Sequence, residues 1–84
     1  MVKDEEEAVA WYRKAADQGI AIAQNNLGLC YENGRGVAKD PEEAVKWYHE
    51  AAMEGHSGAQ NNLGLSYENG RGITRDLQEA IKWY

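Results

Sequence analysis

The chain is predicted to be all-α, with five helical segments built by repeating one two-helix unit, and three observations carry that prediction. Trp11, Trp47 and Trp83 recur at a period of 36 residues, as do Tyr12, Tyr48 and Tyr84, with E-E-A-V, E-E-A-V and Q-E-A-I before them in register. Self-similarity at such a period marks an array of supersecondary units, none able to bury its apolar face alone. Within each unit, apolar residues return at three- and four-residue steps, the spacing of one helix face. Acidic residues open most of these stretches and glycines close them, which is how helices are punctuated.

The first segment is placed near 4–18, opened by Asp4 with Glu7 and closed by Gly19. Its cluster Glu5, Glu6 and Glu7 suits the positive end of the helix dipole, so no cation is needed to explain it. The second, near 22–33, stops at Gly34, but Ile20, Ala21 and Ile22 supply no polar cap, so its start is expected to fray. The third, near 40–54, has the fullest set of signals. Asp40 caps, Pro41 suits the first helical position, Glu43 completes a capping box, and Gly55 ends the helix. Its Ala44, Val45, Tyr48, Ala51 and Ala52 fall on one face, with Glu42, Lys46 and Glu50 on the other.

The fourth segment, near 58–69, carries Ala59, Leu63, Ser66 and Tyr67 on one stripe, with Ser57 and Gln60 as its capping box and Gly70 as its stop. The fifth, near 76–84, opens with Asp76 and Glu79 and halts at Tyr84. Asn33-Gly34 and Asn69-Gly70 are also a strong hairpin signal, yet their flanks have helical periodicity and few β-branched residues, so the helix-stop reading wins. Gly28 and Gly64 lie inside helices, where glycine costs ~1 kcal/mol relative to alanine. They are expected to mark close helix–helix contacts.

Composition narrows the function. A net charge of −5 with nine scattered basic residues disfavours nucleic acid and favours basic partners. No apolar run approaches the ~20 residues of a membrane span. Cys30 stands alone, and the stretch M-V-K-D-E-E-E contains no apolar leader, which points to a cytoplasmic setting or an excised fragment. The tryptophan and tyrosine rows read as core packing, His49 and His56 as solvated side chains, and Gly34-Arg35-Gly36 and Gly70-Arg71-Gly72 as interhelix turns. Neither histidine recurs between copies, Cys30 has no histidine in its own unit, and no strand precedes the glycine pairs. No catalytic residue, metal or cofactor is expected.

At A-Q-N-N-L-G-L-C-Y-E-N-G-R-G-V and D-P-E-E-A-V-K-W-Y-H-E-A-A-M-E-G the chain resembles the Sel-1-like repeat family, relatives of the tetratricopeptide repeats, over essentially its full length. The resemblance implies antiparallel helix pairs stacked into a right-handed α-α superhelix. It divides the chain into a half repeat (4–19), a repeat (22–55) and a repeat truncated at its last helix (58–84). It also implies a scaffold that binds partner proteins or peptides on a concave face lined by the L-G-x-x-Y helices. By position, the outward residues of that face are Ile22, Asn25, Leu29 and Glu32, then Asn61, Leu65 and Glu68, with the two glutamates favouring basic ligands. Some secreted relatives pair cysteines in each repeat and have affinity for penicillin-type compounds; here the counterpart of Cys30 in the other copy is Ser66, which disfavours a β-lactam binder or enzyme. Ile20 and Ile22 replace the usual polar residues. Both ends lack the polar capping helix that closes natural arrays, so head-to-tail self-association is a further expectation.

Overall fold

The structure, a computed structural model, describes residues 2–84; Met1, part of the stretch read for a leader, lies outside them. The described residues form five helices: α1 (Val2–Asp17), α2 (Ala21–Asn33), α3 (Pro41–Met53), α4 (Ser57–Asn69) and α5 (Leu77–Trp83). There is no strand among them. Each helix packs chiefly on its neighbours in sequence, giving a body of 39 × 22 × 15 Å. This is the quasi-one-dimensional architecture of a helical solenoid.

The helix ends follow local chemistry, with three departures from expectation. At α3, Pro41 occupies the first turn and the Asp40 carboxylate accepts the Glu43 N–H at 3.2 Å. The reciprocal half of the capping box is missing. The Asp40 N–H already donates to the Tyr31 carbonyl at 2.8 Å, so the Glu43 carboxylate turns instead to Lys46 at 3.8 Å. At α4 the cap is His56, whose Nδ1 accepts the Ala59 N–H at 3.0 Å. Ser57 lies inside the helix, and the Gln60 amide donates to the Ala52 carbonyl at 3.2 Å. At α1 the helix runs back to Val2, so Asp4 sits in its first turn and does not cap it. Ile20 starts α2 with no side-chain bond, as its chemistry requires.

Gly34 and Gly70 end α2 and α4 with φ of 67° and 66°, their N–H groups donating to the Cys30 and Ser66 carbonyls. That left-handed cap is a helix stop, not a hairpin turn.

Two apolar clusters share the interior. Val9, Ala16, Ala23 and Leu27 form one between α1 and α2; Ala44, Val45, Tyr48, Ala51, Ala52, Ala59 and Leu63 form the other around α3. Small residues at the crossings let the backbones approach. A Cβ on Gly28 would stand 2.6 Å from the Tyr48 ring and 3.2 Å from the Ala44 carbonyl; one on Gly64 would stand 2.7 Å from the Tyr84 ring. Both glycines therefore mark helix–helix contacts. The aromatic rows are only partly core. Tyr48 is fully buried and Trp47 half-buried, whereas Trp11 is 67% and Tyr84 56% exposed, because no helix among the described residues covers the outer side of α1 or α5.

Candidate functional site

The face named by the sequence lies along α2 and α4, which meet where the Asn62 side-chain amide donates to the Asn25 side-chain oxygen Oδ1 at 3.0 Å. That bond corrects one expectation. Asn25 is only 8% exposed and sits in the seam between the two helices, not outward. Asn61, its equivalent one period later, has no such neighbour and is exposed.

Glu32 also differs from its expected role. Its carboxylate accepts the Tyr48 hydroxyl and pairs with Arg71 at 2.8 Å, with 18% of the side chain exposed. A carboxylate already matched to a guanidinium offers little to a basic ligand. Glu68 accepts the Tyr84 hydroxyl in the same way, but has no ion pair among the described residues. The face presented to solvent therefore consists of Ile22, which is 61% exposed, Asn61, and the half-buried Leu29, Leu65 and Glu68. Leu29 also packs on the α3 cluster, so part of it supports the fold.

Burial, and after it the Glu32 carboxylate, pushes the Tyr48 hydroxyl above its ordinary pKa, so at neutral pH it serves as a donor. Reading G-R-G only as a turn misses the Arg71 link. The sequence does contain a signal for it: an arginine follows the glutamate of the preceding unit by a little over one period.

Other groups have less to offer. Burial holds the half-buried Cys30 thiol above its usual value, the opposite of what a thiolate nucleophile needs. No group of three His, Cys, Asp or Glu able to hold a metal ion occurs among the described residues. His49 stands edge-on to Trp83 at 6.0 Å. Two clefts of about 680 and 440 Å³ are lined by residues such as Pro41, Thr74, His49 and Tyr67, and none of the seven face residues borders them. No described helix is long and apolar enough to cross a membrane.

The geometry of stacked, glycine-stopped helix pairs recurs in solved proteins. Over 94% of the chain it matches c5321, a protective antigen present in uropathogenic Escherichia coli strains and displaying an SLR fold, at 46% identity and a TM-score of 0.93. It matches a Sel1 repeat protein of Oxalobacter formigenes over 94% of the chain, at 48% identity and a TM-score of 0.91. It matches the Helicobacter pylori cysteine-rich protein B over 89%, at 27% identity and a TM-score of 0.86. The chain spans 17%, 32% and 56% of those three proteins. No curated protein matches it. The Sel1 repeat family model matches residues 1–20, 21–56 and 57–84. With that match over the full sequence and five helices stacked in the same solenoid, the chain belongs to the Sel1 repeat family.

Proposed function

We propose that the chain is a non-catalytic scaffold that binds a protein or peptide along the α2–α4 face. The observation that carries this reading is the composition of that surface. Ile22, Leu29 and Leu65 provide apolar contact, Asn61 provides an amide with free hydrogen-bonding groups, and Glu68 provides a carboxylate with no cationic partner among the described residues. Beneath them, the Asn25–Asn62 bond and the Glu32–Arg71 pair hold the two helices in fixed relation. A rigid surface binds without first ordering itself, which removes one of the main costs of association. The chain's net charge of −5 and the unmatched Glu68 favour a basic ligand.

A peptide-library selection against the chain should enrich basic peptides with apolar anchors. The same selection against a variant carrying Asn61→Lys, Leu65→Glu and Glu68→Lys should lose them while the circular dichroism spectrum stays helical. An unchanged set of peptides from that variant refutes the assignment.

A further inference from the structure

The side chains that wall one cleft occur twice in this chain, 36 residues apart, and the two sets differ. In the first set the Arg13 guanidinium lies 5.8 Å from the centre of the Tyr31 ring and donates to the Tyr31 hydroxyl, with Val9 and Val37 packed in the same cluster as that ring. In the second set Tyr67 stands for Tyr31, Val45 and Ile73 stand for the two valines, and His49 takes the position of Arg13. The imidazole is shorter and is turned edge-on to Trp83 at 6.0 Å. Val45, Lys46, His49, Glu50, Tyr67 and Ile73 then line a cleft of about 440 Å³. That volume falls within the roughly 300–1,000 Å³ of small-ligand sites. Where the sequence ends does not create the seat: Arg13 reaches Tyr31 with Trp47 in the same cluster and all of α3 in place.

Charge changes in the same direction as shape. Ala10, Arg13 and Lys14 carry two positive charges at the positions where Lys46, His49 and Glu50, with the imidazole neutral, sum to zero, and Lys46 is drawn to Glu43 at 3.8 Å. Glu50 replaces a cation with an exposed carboxylate. Burial, then the Glu79 and Asp76 carboxylates, push the Tyr67 hydroxyl above its ordinary pKa against a smaller opposing effect of Lys82, so acidic groups surround this end of the cleft.

We propose that the cleft between α3 and α4 seats an arginine side chain of a partner protein. The incoming guanidinium lies over the Tyr67 ring and donates to its hydroxyl oxygen, as Arg13 does at Tyr31, and it pairs with Glu50. A flat guanidinium can stack on a ring and donate in two directions at once, which a lysine ammonium does less well. The site is separate from the α2–α4 face and does not rest on that assignment.

The full chain should be titrated with N-acetyl-arginine methylamide while NMR follows the Tyr67, His49 and Ile73 side chains. Saturable shifts are expected there, with the lysine analogue about two- to fivefold weaker and the neutral citrulline analogue without effect. His49→Arg, which restores the residue found at Arg13, should abolish binding by filling the seat from within. Glu50→Lys, which restores the charge of Lys14, should weaken it about fivefold. Both substitutions lie at exposed helical positions, and circular dichroism should show unchanged helicity. The proposal is overturned if no saturable shift appears, if the shifts centre on the Ile22–Glu68 face, if citrulline or lysine binds as well as arginine, or if either variant binds like wild type.

Discussion

A buried tyrosine hydroxyl, a carboxylate and a guanidinium meet at Glu32, and their chemistry sets the clearest pH dependence. Because burial and Glu32 raise the Tyr48 pKa, the folded chain prefers the protonated hydroxyl. Its stabilisation is fully present below the unfolded value of about 10 and is lost as pH rises beyond it. Urea titrations should therefore show wild type losing stability from neutral pH to about pH 11 by more than Tyr48→Phe does. At neutral pH, Tyr48→Phe should cost about 1.5–3 kcal/mol, the range for a hydrogen bond to a charged group. Gly28→Ala should cost about 1–3 kcal/mol, because the added Cβ meets the fully buried Tyr48 ring and the Ala44 carbonyl. Gly64→Ala should cost less, since the Tyr84 ring it meets is largely exposed and can swing away; thermal melts of both variants check the order. The glycines' role was legible from their position in otherwise regular helices. Glu32's was harder to read, because the arginine that follows it by a little over one period does not by itself show that it folds back over an outward helical position.

At the scale of the element, the pattern of apolar steps and glycine stops located all five helices, and every observed boundary falls within two residues of the sequence-based one. The caps were less legible. A serine three residues before a glutamine is a standard cap signal, yet α4 begins at Ser57 and uses the His56 ring nitrogen ahead of it. Likewise Glu43 has the right spacing for a capping box, but Tyr31, on the preceding helix, has taken the donor it needs. Local spacing cannot foresee a tertiary competitor. His56→Ala should therefore destabilise by about 1 kcal/mol, while Ser57→Ala changes little; equal losses in a urea titration would return the cap to Ser57. At the other repeat, Ile20→Asp should stabilise by about 1 kcal/mol, because Ile20 has the extended backbone of a cap and no side-chain acceptor.

For the whole molecule, nearest-neighbour packing means that stability is passed along the array, not shared through one centre. Amide exchange should be fastest in α5, seated on one neighbour only, and slowest in α2 and α3; protection in α5 equal to that of α3 would contradict this. The solenoid could be read from the sequence because repetition multiplies each weak local signal. Which side chains face outward could be read only in part, since five of the seven named positions remain on the surface while the seam between repeats takes Asn25 and the Arg71 pair takes Glu32. The Glu32–Tyr48–Arg71 cluster spans more sequence than one 36-residue period, so no single unit can contain it. It is a property of junctions, and lengthening the array by whole periods creates one new cluster per added unit, wherever in the period the copying begins. Growth of such a gene by unequal crossing-over would thus preserve the joints without any selection on the position of the breakpoint.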